Sequence, residues 1–207
     1  MGYASLIVPY SSVKRGIIMA VEVKTITYQE YLAMPEMKQR YEIIDGEIIM
    51  CPAPTFDHQW IAGNIFEVLR PFVRQRKLGA VLDAPLDVVV CHDPLRTRQP
   101  DILYLSFERS GKTLAELRAM PALEIPPDLT VEVLSPGNTR REMRDKLQDY
   151  INIGVRECWL VSPEAQTVEV LRLSPEGATT VNLFGIDDTL HSEVLTDFSL
   201  KVEDIFG

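Results

Sequence analysis

The sequence predicts a mixed α/β fold in which helices flank a central mixed sheet, and three stretches carry this prediction. Residues 129–161 have the pattern of a buried strand, a turn, an amphipathic helix and a second buried strand, an order that favours parallel pairing of the two strands. Residues 41–50 contain an Asp-Gly pair between two alternating apolar runs, which is typical of a hairpin. A second hairpin is indicated around residues 174–177, followed by a last strand and a short helix at residues 202–206. The prediction is therefore a central sheet with an added N-terminal hairpin and C-terminal β elements.

Length and composition predict one folded domain. The chain has 207 residues, enough for one sizeable core; we assign residues 19–207 to this domain and residues 1–18 to a flexible N-terminal extension, because Met19-Ala20 resembles a second start. A net charge of −9 counts against broad electrostatic attraction to nucleic acid or anionic membranes. Three cysteines without a CxxC pair favour a reducing cytoplasm. No apolar run reaches the roughly 20 residues of a membrane helix, so we expect a cytoplasmic protein that makes no use of a membrane.

The N-terminal half contains two candidate residues, Glu42 and His58. A capped helix is predicted over residues 27–32, and in the hairpin that follows, Glu42 shares a face with isoleucines. His58 begins a helix predicted to run to Arg76, with an apolar stripe at helical spacing, and Pro71 should bend or shorten this helix. A half-exposed strand glutamate is an equally good interpretation of Glu42. For His58, a capping or packing role is the commoner one.

Two strands are predicted in the middle of the chain, at residues 80–91 and 99–106, with a polar loop between them. Asp101 opens the second strand immediately after a proline, and a turn aspartate is the usual interpretation of such a residue. Residues 107–128 form an excursion that contains one helix at residues 113–119 and ends in proline-rich chain.

Glu132 is the residue from which the functional interpretation starts. It is the lone carboxylate in an apolar strand, and a buried carboxylate needs a metal ion, a cation or hydrogen bonds to stay charged. Asp101 lies near a strand that could be the neighbour of this one, and two carboxylates aimed at one point favour Mg²⁺, which prefers oxygen ligands. Lys146, on the flank of the apolar stripe of the next helix, is the helix lysine placed to orient a metal-bound water or to offset charge on a phosphate. A lysine that only extends past the core is the commoner alternative.

The order of these motifs resembles the PD-(D/E)XK nuclease fold and, more narrowly, the Uma-two family of restriction-endonuclease-like proteins. The resemblance covers about residues 25–207 and rests on YEIIDGEII, the HQ at the start of the helix, QPDILYLS, VEVLSPGNTRREMRDKLQDY and GVRECWLVSP. It implies a restriction-endonuclease-like core with the order helix, three strands, helix, strand. Glu42 and His58 match positions where Uma-two relatives also carry Glu and His, so the resemblance adds both to the candidate catalytic residues.

The resemblance also implies a role for the remaining candidates. Asp101 and Glu132 match the two acidic metal ligands, and the backbone carbonyl of Val133 matches a third. The position of the motif lysine is occupied by Leu134, which departs from the family pattern. Because similar families move this lysine onto the following helix, Lys146 is the candidate replacement.

These assignments predict a metal-dependent endonuclease that uses Mg²⁺ or Mn²⁺ to hydrolyse phosphodiester bonds of nucleic acid, with DNA as the expected substrate. Water oriented by Lys146 would attack the phosphorus in line and leave products with a 5′-phosphate. A homodimer is expected by analogy with nucleases that cut both strands, with residues 107–128 as the first candidate contact.

Two alternatives remain open. The missing motif lysine and the acidic total charge favour a catalytically inactive nuclease fold that serves as a binding or interaction protein. A closed pocket in place of a long open groove would favour a hydrolase of small phosphorylated molecules.

Overall fold

The computed structural model describes residues 25–35, 37, 39–135, 137 and 139–207. The prediction of a flexible extension at residues 1–18 lies outside these ranges. In chain order the elements are α1 (Tyr28–Leu32), β1 (Tyr41–Ile44), β2 (Glu47–Met50), α2 (Phe56–Gln75), β3 (Gly79–Asp83), β4 (Val88–His92), β5 (Leu95–Arg98), β6 (Ile102–Ser106), α3 (Phe107–Ser110), α4 (Leu114–Arg118), β7 (Leu129–Val133), α5 (Arg140–Ile153), β8 (Glu157–Ser162), β9 (Thr167–Ser174), β10 (Gly177–Phe184), β11 (Thr189–His191), β12 (Ser199–Lys201) and α6 (Glu203–Phe206).

A mixed sheet with the strand order β10-β9-β8-β7-β6-β3 lies at the centre of the described chain. β7 and β8 run parallel to each other, and the other neighbouring pairs of this sheet are antiparallel. α5 connects the two parallel strands, as the pattern of residues 129–161 predicts. The predicted fold class is therefore confirmed, with β1 and β2 as the added N-terminal hairpin and β9 to β12 as the C-terminal β elements.

Different helices cover the two faces of the sheet. On one face α2, α6 and the chain around β11 and β12 pack against alternate strand residues such as Val131 and Trp159. On the other face α5 packs through Tyr150 against Cys158 and its neighbours. Because side chains alternate along a strand, Glu132 points away from the face of Val131 and towards α5. The alternation in β7 thus aims the one acidic side chain of this strand at the crossover helix.

The middle region differs from the prediction in two places. The strand predicted over residues 80–91 is in fact two strands, β3 and β4, which belong to different sheets. Pro85 lies between them and has no N–H to continue a ladder. The segment predicted as a polar loop contains β5, which pairs with β4. Its polar side chains are buried because they have partners there: Thr97 accepts a hydrogen bond from the Ile43 N–H, and Arg98 forms ion pairs.

Helix α2 continues through Pro71, so the predicted shortening is wrong. A proline removes one hydrogen bond of the helix, but Pro71 is exposed and water can bind the freed carbonyl. Leu69 and Val73, on either side of it, are buried in the core and hold the helix in place. Neither this helix nor any other in the described ranges is long and apolar enough to cross a membrane.

Candidate active site

Asp101 and Glu132 meet where β6 and β7 separate. Asp101 immediately precedes β6, one residue beyond the last paired residues of the β6–β7 ladder, Ile102 and Val131. The N–H of Val133 donates a hydrogen bond of 2.8 Å to Asp101 Oδ2 and holds this carboxylate beside β7. Both acidic residues are buried, with 5 % and 4 % of their surface exposed. The structure thus brings together the two carboxylates that the sequence analysis pairs.

Lys146 reaches the same point from α5. Its Nζ lies 2.8 Å from Glu132 Oε2 and 3.3 Å from Glu42 Oε1. Tyr150, four residues further on, shares the same helix face and donates its hydroxyl hydrogen to Glu132 Oε1. An ammonium group therefore stands beside Glu132, although the strand itself carries Leu134 at the position of the motif lysine.

Glu42 joins the cluster from the β1–β2 hairpin. Besides Lys146, its carboxylate accepts a backbone hydrogen bond of 3.1 Å from Gln99 and an ion-paired hydrogen bond of 2.8 Å from Arg98. Arg98 also donates to Asp149 on α5 at 2.6 Å. Glu42 is therefore enclosed by donors from two other elements and does not lie on a half-exposed strand face.

His58 and Arg40 also bind Asp101, His58 at the oxygen that accepts the Val133 N–H and Arg40 at the other oxygen. The distance from His58 Nε2 to Asp101 Oδ2 is 3.1 Å, and Arg40 Nη1 lies 2.7 Å from Asp101 Oδ1. Thr55 caps α2 by accepting a hydrogen bond from the backbone N–H of His58. The side chain of His58 is therefore not the cap of this helix, and its ring contacts Asp101. Arg40 also donates to the carbonyl of Gln99. Within the described ranges, His58 Nδ1 and Arg40 Nε are buried atoms without a hydrogen-bond partner.

The two central carboxylates differ in their acidity. Burial would raise the pKa of Asp101, but the hydrogen bond from His58 and the positive charge of Arg40 lower it to about 2. Burial raises the pKa of Glu132; the charge of Lys146 opposes this rise, and the charge of Asp101 adds to it. Asp101 is therefore the permanently ionised member of the pair.

Lys146 and Tyr150 keep their protons at neutral pH, whereas Glu42 stays ionised. Burial would lower the pKa of Lys146, but the charges of Glu132 and Glu42 raise it above its ordinary value. Burial and the charge of Glu132 raise the pKa of Tyr150 well above its ordinary value, so its phenol stays a donor. For Glu42, burial would raise the pKa, but the charges of Lys146 and Arg98 lower it.

Positive side chains neutralise the cluster from within. The carboxylates of Asp101, Glu132 and Glu42 are paired with Arg40, Lys146 and Arg98. No group of three His, Cys, Asp or Glu side chains placed to hold a metal ion occurs in the described part of the chain. Two carboxylates are nevertheless enough for Mg²⁺, which retains several of its waters, and the cations on their oxygens show that positive charge is favoured here. The donor set fits a hard divalent cation that takes over or shares these contacts.

A cavity of about 840 Å³ opens beside the cluster. His58 and Leu134 line one side of it, and the first turns of α5 line the other with Thr139, Arg140 and Arg144. His58 lines the cavity and also contacts Asp101, so this histidine lies between the cavity and the cluster. The arginines that line the cavity would attract a phosphate group.

Four members of the cluster were not predicted from the sequence: Arg40, Arg98, Asp149 and the hydroxyl of Tyr150. Both arginines lie in stretches for which no helix or strand was predicted. Tyr150 belongs to the apolar stripe of α5, which accounts for its ring but not for its hydroxyl. The alternation in the LRTR segment is a signal for strand β5, which pairs with β4 after a short turn, but it does not indicate that Arg98 is buried.

Comparison with known proteins agrees with the motif resemblance. The family model of Uma2, described as "Putative restriction endonuclease", matches residues 28–203. Among solved structures, the crystal structure of a "putative nuclease" from Anabaena variabilis is similar to this chain with a TM-score of 0.72 and 24 % sequence identity. The match covers 87 % of this chain and 97 % of that one, and at this identity it establishes the fold alone. No curated protein matches the sequence.

Proposed function

The chain belongs to the Uma2 family of restriction-endonuclease-like proteins, and from this premise we propose that it is a metal-dependent endonuclease that hydrolyses phosphodiester bonds of DNA. The family supports a nuclease-like function; the substrate, the metal ion and the catalytic residues are the proposal. The observation that carries it is the convergence of Asp101, Glu132 and Lys146 at the end of the β6–β7 ladder. This arrangement unites two hard oxygen ligands with the ammonium group that the strand lacks.

Asp101, Glu132 and the carbonyl of Val133 are the proposed ligands of Mg²⁺ or Mn²⁺. The N–H of Val133 points at Asp101, and the N–H and C=O of one strand residue point to the same side of the strand. The Val133 carbonyl therefore faces the side on which Asp101 lies, which supports its role. When bound, the metal would polarise a phosphoryl oxygen and increase the acidity of its water.

Lys146 is the proposed positioning group for the attacking water. Its ammonium is held between Glu132 and Glu42, so Glu42 acts by fixing the direction of this amine. His58 orients Asp101 through Nε2 and faces the cavity through which a substrate would enter. Water would attack the phosphorus in line and release a proton to solvent, the P–O3′ bond would break, the leaving O3′ would take up a proton from solvent, and the 5′-phosphate would stay on the product. The ammonium offsets the charge that develops on the phosphate.

Internal neutralisation of the cluster favours a second candidate function. Arg40 and Lys146 already satisfy the two central carboxylates, as they would in a nuclease fold that binds without cutting. The size of the cavity, about 840 Å³, lies within the usual range of small-molecule sites, so small phosphorylated substrates belong in the same assay.

The homodimer and the cytoplasmic location are also part of this proposal. An apolar cavity of about 440 Å³ is lined by residues of the excursion, among them Leu114, Leu117 and Met120. Leu114 is exposed, so this face could be covered by a second copy of the chain. Sedimentation equilibrium at increasing protein concentration tests the dimer.

A cleavage assay tests the proposed reaction. Supercoiled plasmid, single-stranded DNA, RNA and a chromogenic phosphodiester are incubated with the protein and Mg²⁺ or Mn²⁺. Asp101→Asn and Glu132→Gln preserve side-chain size and should each lower the metal-dependent rate by about 10³-fold or more, because each removes a ligand charge. Glu157→Gln is the matched control, since Glu157 is a buried carboxylate of β8 that makes no contact with the cluster.

The outcomes separate the candidate functions. Cleavage that persists unchanged in both cluster variants contradicts the assignment of the site. Preference for the chromogenic phosphodiester over every nucleic acid favours the small-molecule hydrolase. A wild-type protein that binds DNA but cleaves none of the substrates indicates the binding protein.

A further inference from the structure

Arg40 is the most weakly held cation of the cluster. It immediately precedes β1, and its guanidinium binds a single carboxylate, that of Asp101, together with the carbonyl of Gln99. Its side chain is 21 % exposed, against 13 % for Lys146 and 9 % for Arg98. Its Nε is buried without a partner in the described structure. The guanidinium therefore has an unused donor and a path to solvent.

The other two cations are fixed by two carboxylates each. Lys146 bridges Glu132 and Glu42, and Arg98 bridges Glu42 and Asp149. Moving either of them would break two ion pairs and leave buried charges unpaired, which is costly. Moving Arg40 breaks one such pair, and this pair involves a proposed metal ligand. Arg40 is thus the cation that can leave with the least loss.

We propose that Arg40 is an exchangeable counter-ion, which occupies Asp101 in the metal-free protein, leaves when a divalent cation binds, and then contacts a phosphate of the nucleic acid. This inference rests on the function proposed above. A guanidinium is suited to both positions because its planar fork of donors fits carboxylate and phosphate oxygens alike. When the metal displaces Arg40, the guanidinium remains close to the site. Because the metal has added positive charge to the site, binding of an anion is favoured there.

Exchange of Arg40 couples metal binding to substrate binding. Without nucleic acid, the metal must displace Arg40 from Asp101, so its affinity is reduced. With nucleic acid present, a phosphate stabilises the displaced guanidinium, and each ligand strengthens the binding of the other by the same factor. The site would therefore take up its metal mainly together with its substrate.

Calorimetric titration with Mn²⁺ alone tests the exchange without reference to catalysis. Arg40→Met keeps an apolar stem and removes the charge, and it should bind Mn²⁺ about 10-fold more tightly than the wild type, a factor equal to about 1.4 kcal/mol. Arg96→Met is the matched control, because Arg96 pairs with Asp45 and Asp149 and makes no contact with Asp101. This control should leave the Mn²⁺ affinity within about twofold of the wild type.

A second titration measures the phosphate contact. In the presence of Mn²⁺, a short DNA duplex should bind Arg40→Met about 10-fold more weakly than the wild type. Metal-free Arg40→Met should also melt at a lower temperature than the wild type, because Asp101 has lost a partner. Saturating Mn²⁺ should raise the Tm of the variant by more than it raises the Tm of the wild type. This measurement shows whether the variant is folded.

Failure of the exchange differs from failure of the proposed function. If Asp101→Asn abolishes Mn²⁺ binding while the wild type and Arg40→Met bind Mn²⁺ equally, the site is a metal site and the exchange is overturned. If Mn²⁺ binds neither the wild type nor folded Arg40→Met, the metal-dependent function fails, and the exchange fails with it. Tighter Mn²⁺ binding combined with weaker DNA binding supports the exchange.

Discussion

Glu132 and Glu157 are two buried carboxylates on neighbouring parallel strands, and the chain stabilises them in different ways. Glu157, with 1 % of its surface exposed, accepts hydrogen bonds from neutral groups. Its donors are the Trp159 indole, the Ser192 hydroxyl and the backbone N–H groups of Glu193 and Val194. These contacts fasten the chain between β11 and β12 to the sheet, so Glu157 has a structural role.

Glu132 has charged groups beside it. Lys146 pairs with it and the negative charge of Asp101 lies next to it, while the neutral hydroxyl of Tyr150 donates to it. A second carboxylate and a cation at the same point are what a metal-dependent hydrolase requires. The difference teaches that burial alone does not distinguish these two glutamates; the charge of their partners does.

The largest effect should separate the two glutamates by stability and metal binding. Glu157→Ala leaves the buried Trp159 indole and three partly buried donors without their acceptor. It should lower the free energy of unfolding by about 3 kcal/mol, as measured by urea denaturation, with the Mn²⁺ affinity unchanged. Glu132→Ala should abolish Mn²⁺ binding. An altered Mn²⁺ affinity of Glu157→Ala would contradict the purely structural role of Glu157.

The pH dependence of stability should have opposite signs for Asp101 and Glu157. The pKa of Asp101 is lowered from its ordinary value to about 2, so its stabilising contribution is complete above about pH 4 and is lost as the pH falls towards 2. This loss amounts to about 2.5 kcal/mol. Burial raises the pKa of Glu157 despite its hydrogen bonds to Ser192 and Trp159, so the contribution of Glu157 improves as the pH falls through that raised value.

Denaturation curves between pH 7 and pH 2 measure these two contributions. Asp101→Asn should flatten the loss of stability between pH 4 and pH 2 relative to the wild type. Glu157→Gln should still lose stability between pH 4 and pH 2. It should no longer show the gain in stability that protonation of Glu157 gives above pH 4. Equal acid sensitivity of Asp101→Asn and the wild type would show that His58 and Arg40 do not hold this carboxyl ionised.

The smallest effect concerns the hydroxyl of Tyr150. Tyr150→Phe keeps the buried ring and removes the donor to Glu132, which should lower the free energy of unfolding by about 1.5 kcal/mol. Tyr104→Phe is the control, since the hydroxyl of Tyr104 contacts neutral groups, the Leu78 carbonyl at 3.5 Å and the Ser106 side chain. Its loss should cost less, about 0.5 kcal/mol. Equal losses in both variants would mean that the bond to Glu132 adds no stability.

Regular patterns carried most of the fold prediction. The βαβ unit could be predicted because β7 and β8 are apolar runs and α5 has one apolar stripe, and the Asp45-Gly46 turn fixed the register of β1 and β2. The division of residues 80–91 and the strand β5 escaped prediction. The burial of β5 depends on ion pairs with residues from other elements, and these do not appear in a local hydrophobic pattern.

The acidic residues of the candidate site could be predicted from the sequence. Glu132 stands out as a charge in a buried strand, and the motif order supplied Asp101 and Lys146. Arg40 and Arg98 escaped because an arginine in an irregular or polar stretch is ordinarily solvated, and only the tertiary fold shows which carboxylate it meets. The sequence indicates where negative charge is buried more readily than which cations neutralise it.

The position of Lys146 on the crossover helix has a consequence for synthesis of the protein. A nascent chain acquires Arg40, Asp101 and Glu132 before α5 has left the ribosome, so an unfinished chain holds the acidic pair without its ammonium group. Contacts between such distant segments form only when the sheet and α5 assemble together. The proposed active site therefore stays incomplete until α5 has been synthesised, and a chain truncated before α5 would lack the ammonium group.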